Sequence, residues 1–331
     1  MSNIAIMGDG SWGTAAAVML HSKGNNVRLW GAFPDNINDI KKSGENKKFL
    51  PGVKVPADIL VTDDVALVLS DASFVIFVVP SHVMREVCIK CKDFIKSGVT
   101  CVSLSKGIEN DTLKRMSEII SEETGISRIA VLSGPSHAEE VVKNMPSTVV
   151  AASSDTAIAK EVQNLFHTES FRVYTGRDVI GVEIAAALKN VIAIAAGICD
   201  SLGFGDNSKA ALLTRSLCEI SRLGVKMGAE RETFFGLAGM GDLITTCISK
   251  FGRNLRLGRE IGSGLSLEEA QAKTCMVAEG VKTAKSAVEL AKRYNVEIPI
   301  SMEVYNILYK GKDPLQAVKD LMARSVKPES L

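Results

Sequence analysis

Lys189 stands inside an apolar run, Ile-Ala-Ala-Ala-Leu-Lys-Asn-Val-Ile-Ala-Ile-Ala-Ala over residues 184–196. A lysine there either extends its amine to solvent or is held for chemistry. An amine whose pKa falls from about 10.4, through loss of water or a neighbouring cation, can accept a proton from an alcohol whose carbon gives up a hydride. Its ammonium returns that proton in the reverse direction. Asn190, next in line, is a candidate hydrogen-bond donor to the same substrate. Lys106 follows the apolar run Thr100–Ser103 and precedes Gly107. It therefore sits in a loop at the carboxyl end of a strand, where ligands bind in parallel sheets. Its charge would lower the pKa of Lys189 if the two lie close; a solvated loop lysine is the other reading.

Three more segments carry chemistry. Gly239-Met-Gly-Asp242 joins flexible glycines to a carboxylate that could orient a lysine or bind a hydroxyl. A helix N-cap is the alternative for Asp242. Thr246 lies one helical turn further on the same face. Gly252-Arg253-Asn254 offers a guanidinium, an amide and unhindered backbone, which suit a dianionic phosphate. Gly134-Pro-Ser136 follows a strand ending at Leu132, so the Gly134 amide and the Ser136 hydroxyl could meet substrate oxygens. A proline turn with a capping box from Ser136 to Glu139 is compatible with that reading. His137 and the other histidines lack metal-ligand spacing, and no metal site is expected.

The elements that must position these groups begin with a glycine turn. Ile4–Met7 is a short apolar run, Gly8-Asp-Gly-Ser-Trp-Gly13 follows directly, and Thr14–Leu20 continues with helical spacing. A dinucleotide turn needs Gly8 for its backbone conformation, Gly10 for the approach of the pyrophosphate and Gly13 for close helix packing. Strand, turn, helix and second strand (Val27–Trp30) occur in the required order; an ordinary tight turn is the bland reading. After Trp30 come Gly31, Ala32, Phe33 and Pro34, and the first acid is Asp35. No carboxylate stands where it would repel a 2′-phosphate, so NAD and NADP both remain open.

Further strands are expected at Ile59–Thr62, Phe74–Val79, Thr100–Ser103, Ile129–Leu132 and Thr148–Ala151, with none after Val173. Several are continuous apolar runs, as in parallel sheets covered on both faces. From Val179 the spacing turns helical, over Val179–Cys199, Ser208–Met227, Val277–Arg293 and Ile300–Leu308. The fold class is α/β: a doubly wound, mainly parallel, Rossmann-like sheet followed by an all-helical C-terminal domain. The expected domains are 1–180 for the dinucleotide and 181–331 for the substrate, with a frayed tail at Lys327–Leu331.

Composition removes other classes. With 39 basic against 38 acidic residues the net charge is +1, which gives no field for nucleic acid or an anionic membrane. Apolar residues begin at Ile4 with no basic region before them, so no export signal is expected. The most apolar segment, Ile184–Cys199, is broken by Lys189 and Asn190 and reads as too short to span a bilayer. The seven cysteines are odd in number and scattered, which suits reduced thiols in the cytoplasm. Cys88 and Cys91 form a CxxC without a second ligand pair and read as helix thiols.

Six motifs in order carry a resemblance: GDGSWGTA, SLSKGIE, LSGPSHAEEV, ALKNVIAIAAGICDSLGFGDNSKAAL, GLAGMGDLITTC and VAEGVKT. From residue 4 to about 285 the chain resembles bacterial-type NAD(P)-dependent glycerol-3-phosphate dehydrogenases. The resemblance implies hydride transfer between NAD(P)H and dihydroxyacetone phosphate, and a cytoplasmic role supplying the glycerol backbone of phospholipids. It makes Lys189 the proton acceptor and gives Lys106 and Arg253 contacts to both substrate and cofactor. Substrate contacts are implied at Gly134, Ser136, Asn190, Asp242, Thr246, Gly252 and Asn254. Cofactor contacts are implied at Gly8, Gly10, Ser11, Trp12, Gly13, Ala32, Phe49, Ala138, Val277 and Glu279. Ala138 borders the nicotinamide, while Val277 and Glu279 close over the cofactor from the second domain. Phe49 reads equally as a core aromatic. The chain departs from its relatives at Gly252, where serine is common, and at Ala32, where histidine or arginine is frequent. The expected partner is a small phosphorylated three-carbon substrate, without nucleic acid or membrane insertion, in a homodimer by base rate. The rivals are a β-hydroxyacid dehydrogenase of the same architecture and a non-catalytic dinucleotide sensor.

Overall fold

The structure, a computed structural model, describes residues 1–273, 277–326, 328 and 329. Cys275 and part of the tail expected to fray, 327–331, lie outside the described residues. Eight strands form one sheet: β1 (Asn3–Met7), β2 (Asn26–Trp30), β3 (Leu60–Thr62), β4 (Phe74–Phe77), β5 (Thr100–Ser103), β6 (Ile129–Ser133), β7 (Ser147–Ala152) and β8 (Phe171–Gly176). Their order is β3-β2-β1-β4-β5-β6-β7-β8, parallel throughout except between β6 and β7. The winding reverses between β1 and β4, the switch point beyond whose carboxyl ends such sheets bind ligands. The central strands are apolar at consecutive positions because both faces are covered: every residue of β5 is buried, as are the last four of β1.

Seven helices cover that sheet: α1 (Ser11–Ser22), α2 (Pro34–Ser43), α3 (Val65–Leu69), α4 (Met84–Cys91), α5 (Met116–Thr124), α6 (Ala138–Val141) and α7 (Thr156–Phe166). β8 follows α7 and runs three residues beyond the expected limit at Val173, because its whole length pairs with β7 at the sheet edge. After it the described elements are helical: α8 (Val179–Ser201), α9 (Asp206–Lys226), α10 (Asp242–Ile248), α11 (Arg253–Gly262), α12 (Leu267–Ala272), α13 (Glu279–Tyr294), α14 (Pro299–Lys310) and α15 (Pro314–Met322).

α8 is the axis of this half. It is 23 residues long, so length alone would allow a membrane crossing and the shorter span expected from sequence was too strict. Burial decides instead: every residue from Gly181 to Ile198 is buried, against α9, α10, α11, α13 and α14. α8 and α11 meet backbone to backbone. A Cβ at Gly197 would lie 2.1 Å from the Leu255 carbonyl oxygen, and one at Gly258 would lie 2.1 Å from that of Ile194. α8 is also tied to the sheet side by a buried carboxylate. Glu183 accepts from the Arg115 guanidinium at 2.7 Å and the Ser117 amide at 2.8 Å.

Cys88 and Cys91 are buried in α4, where burial pushes both thiols up, that of Cys91 to about 12. They belong to the core beneath β4 and β5, as a helix-thiol reading requires. Gly258→Ala would force α8 and α11 apart, and overpacking of this kind costs about 1–3 kcal/mol. A loss of unfolding free energy of that size, read from a lower urea midpoint at unchanged slope, is expected; an unchanged midpoint would show that the helices separate freely.

Candidate active site

Lys189 does not extend to solvent. It is 5 % exposed at the middle of α8, with its ammonium 2.9 Å from Asp242 Oδ1 and donating to Thr246 Oγ1 at 2.6 Å. Asp242 opens α10 directly after a π-helical turn, Leu237–Gly241. That turn fits against the preceding segment only without a side chain at position 239: a Cβ at Gly239 would stand 2.0 Å from the Phe234 carbonyl oxygen. The N-cap reading of Asp242 is overturned, since Gly241 precedes the helix and the carboxylate turns to the lysines. Its other oxygen accepts from Lys106 at 2.7 Å. Thr246, one turn on, donates back to the Asp242 carbonyl oxygen at 2.6 Å.

Two ammonium groups thus share one buried carboxylate. Burial pushes the Lys189 amine down to about 8; Asp242 opposes the shift and the Lys106 charge adds to it. Burial would raise the Asp242 carboxyl, but the two lysines hold it below the usual carboxylate range. The expected influence of Lys106 on Lys189 is therefore present, and Lys106 is no solvated loop lysine.

The glycine turn lies beside this cluster. Gly8 has φ +128°, and a Cβ there would meet the Val78 carbonyl oxygen at 2.8 Å. A Cβ at Gly13 would be 1.8 Å from the Gly8 carbonyl oxygen, whereas Gly10 has open space around it. Such a cradle fits a pyrophosphate at the N-terminus of α1. Trp12 Nε1 donates to the Ser136 carbonyl at 2.6 Å, and Trp12, Lys106 and Ser136 line one small cleft with Ser133. Lys106 also approaches the Gly134 carbonyl oxygen at 3.5 Å, and Gly134 holds φ +146° against Val149. From the helical half, Arg253 donates to Ser11 Oγ at 2.8 Å. Glu279 accepts from the Ser81 amide at 3.1 Å and from its hydroxyl. Burial pushes the Glu279 carboxyl up, against the Ser81 hydrogen bonds.

The other expected residues divide. Asn190 and Asn254 are buried, Asn254 Nδ2 donating to Asn190 Oδ1 at 3.0 Å, and Asn254 Oδ1 accepts from the Gly280 amide at 2.9 Å. One amide hydrogen of Asn254 remains for another acceptor. Gly252 is buried, and a Cβ there would stand 3.0 Å from the Thr246 carbonyl oxygen. Ala138 is buried beside Ala15 and Leu50. Ala32 and Val277 are exposed, and Val277 precedes α13, which begins two residues later than expected. Phe49 is half-buried with the Lys48 ammonium 5.1 Å from its ring centre, so the core reading fails. The capping box at Ser136 fails too: His137 precedes α6, and the Ser136 hydroxyl donates to the Gly134 carbonyl at 3.0 Å.

Ser81 is not singled out by the sequence, and His137 is given no role there. Ser81 follows a strand end, and only the fold brings Glu279 to it from 198 residues away. His137 Nε2 is buried without a partner among the described residues, its ring tilted on Phe251 at 5.8 Å. Burial holds this imidazole below its usual range, and the Lys189 charge adds to that.

Comparison with known proteins decides the family. Residues 3–159 match the model of the NAD-dependent glycerol-3-phosphate dehydrogenase N-terminus, and residues 178–319 match that of its C-terminus. The chain belongs to the NAD-dependent glycerol-3-phosphate dehydrogenase family. A relative from Clostridium tetani, named glycerol-3-phosphate dehydrogenase (NAD(P)+), is 47 % identical over 99 % of this chain and 94 % of its own. One of the same name from Geobacillus kaustophilus is 48 % identical over 99 % and 96 %. The crystal structure of glycerol-3-phosphate dehydrogenase from Coxiella burnetii superposes with a TM-score of 0.95, at 37 % identity, over 98 % of this chain and 99 % of that one.

A direct titration tests the electrostatics of this family member. The amine of Lys189, followed by NMR of labelled lysine, should titrate near pH 8. Asp242→Asn removes the anion that raises the pKa and should move the midpoint lower. Lys106→Met removes a cation and should move it higher. Shifts of the opposite sign would show that other groups govern the amine.

Proposed function

We propose that this chain catalyses reversible hydride transfer between NAD(P)H and dihydroxyacetone phosphate, giving sn-glycerol 3-phosphate for phospholipid synthesis in the cytoplasm. The observation that carries the reading is the buried amine of Lys189, held near pH 8 beside Asp242 and Lys106 and next to the glycine turn. The nicotinamide, when bound, supplies or takes the hydride. Lys189 exchanges the hydroxyl proton, because an amine with a pKa near the working pH exists in both forms. Asp242 and Thr246 keep that amine aimed, and Lys106 faces the carbonyl oxygen as its charge develops.

Arg253 anchors the phosphate with the remaining amide hydrogen of Asn254, the backbone at Gly252 and the Gly134 and Ser136 groups. Asn190 orients Asn254 and reaches the substrate hydroxyl. The turn from Gly8 to Gly13, with Ser11 and Trp12, holds the dinucleotide; Ala32 and Phe49 flank its adenosine side and Ala138 its nicotinamide. Arg253, Val277 and Glu279 cover it from the second domain, 181–331, across the boundary near residue 180. A β-hydroxyacid dehydrogenase would not need a guanidinium beside the turn, and a sensor would not need a buried lysine with a depressed pKa.

Purified protein mixed with dihydroxyacetone phosphate should oxidise NADH or NADPH, followed at the reduced nicotinamide band. Lys189→Ala should lose about 10²–10⁴-fold in turnover while still binding the dinucleotide; comparable turnover removes Lys189 as the proton acceptor. Arg253→Ala should raise KM for the phosphorylated substrate by about tenfold or more, with kcat less affected. An unchanged KM would mean that the phosphate is held elsewhere.

A further inference from the structure

The end of β2 lacks the acidic residue that would meet the adenosine ribose, since Gly31 and Ala32 stand there. The structure fills that place from another element. Asp9, the second residue of the glycine turn, lays its carboxylate against Gly31. A Cβ at Gly31 would lie 2.6 Å from Asp9 Oδ2 and from its carboxyl carbon, so the missing side chain of Gly31 is the room the carboxylate uses. The ends of β1 and β2 are tied beside it, the Gly8 amide donating to the Trp30 carbonyl at 3.0 Å.

The carboxylate is held, not loose. Asp9 is 6 % exposed, and its Oδ2 accepts from Asn36 Nδ2 at 2.6 Å. Its carbonyl oxygen accepts from Asn46 Nδ2 at 2.6 Å and from the Thr14 hydroxyl at 3.3 Å. Asn36 comes from α2, directly after β2, and is itself buried. No role in function accounts for this buried acid within the turn. Lys48 is the cation whose field reaches it, and its ammonium sits 5.1 Å from the ring centres of both Phe33 and Phe49.

We propose that Asp9 reads the adenosine ribose, accepting a hydrogen bond from the 2′-hydroxyl of NAD(H) and repelling the 2′-phosphate of NADP(H). A dianion brought beside a poorly hydrated carboxylate loses binding energy in both charges, so the discrimination is built from repulsion as well as attraction. Lys48 offers the competing chemistry, an ammonium that would pair with the 2′-phosphate. Asp9 outweighs it because the carboxylate is fixed at the strand end, whereas Lys48 is exposed.

This inference rests on the dinucleotide reading above, and the test separates the two. The purified chain, without substrate, is titrated with NADH and with NADPH by calorimetry. NADH should bind at least about tenfold tighter than NADPH. Equal affinity, or tighter NADPH, overturns the role of Asp9. If neither nucleotide binds, the dehydrogenase reading fails instead. Asp9→Asn, which keeps the shape, should strengthen NADPH and bring the ratio to within about threefold; an unchanged ratio overturns the proposal. Lys48→Ala should leave NADH the tighter ligand. A selective loss of NADPH affinity in that variant, with the two cofactors bound equally well by the parent chain, assigns the selection to Lys48. Competition by 5′-AMP against 2′,5′-ADP on the unmodified chain gives the same ordering without any substitution.

Discussion

A lysine ammonium cannot remain in an apolar helix core without a counter-charge, and most of the site follows from how Lys189 finds one. Burial alone favours its neutral amine, whereas Asp242 favours the charged form. The result is a group poised between the two. Lys106 shares the carboxylate, so two amines face one anion and the cluster carries a net positive charge when Lys189 is protonated. A buried surplus of that sign attracts a phosphate and stabilises an oxygen that becomes negative. Removing Asp242 would leave two like charges together in low dielectric, and its carboxylate bonds to both lysines.

α8 and α11, and the turn that leads into α10, lie closer to their neighbours than ordinary side chains permit. Gly197 and Gly258 allow α8 and α11 to touch at the backbone, and Gly239 allows the π-helical turn to deliver Asp242. The same approach sets Asn254 on Asn190 and points Arg253 at Ser11. Arg253 and Glu279 then cross from the helical half to the sheet half, while Arg115 crosses in the other direction to Glu183. The Lys189 amine and the guanidinium that meets the glycine turn are therefore mechanically joined, because packed helices carry both.

Much of this was legible in the residues. Strand, glycine turn and helix in sequence announce a dinucleotide site because backbone conformation at Gly8 and Gly13 is a local property. A lysine in an apolar helix marks a position that must either reach solvent or find a counter-charge, because the loss of water around its charge is a local cost. Where the reading missed, the deciding contact was distant or the local signal ambiguous. Asp242 and Ser136 both look like helix caps, yet one turns to lysines from other elements and the other bonds to its own turn. Phe49 reads equally as core or as a cofactor neighbour and is half-buried with the Lys48 ammonium near its ring.

From the residues alone it follows that a mainly parallel sheet is succeeded by helices, that a strand, glycine turn and helix succeed one another at Gly8, and that Lys189 sits in an apolar helix. These follow from periodicity, from glycine's backbone freedom and from the solvation of charge, none of which needs a distant partner. Tertiary structure alone decided that Asp242 would be divided between Lys189 and Lys106, that Glu279 would meet Ser81, and that Asp9 would occupy the space beside Gly31. Each of those pairings joins residues far apart along the chain, and a charge or a missing side chain states only that something must fill the need, not what.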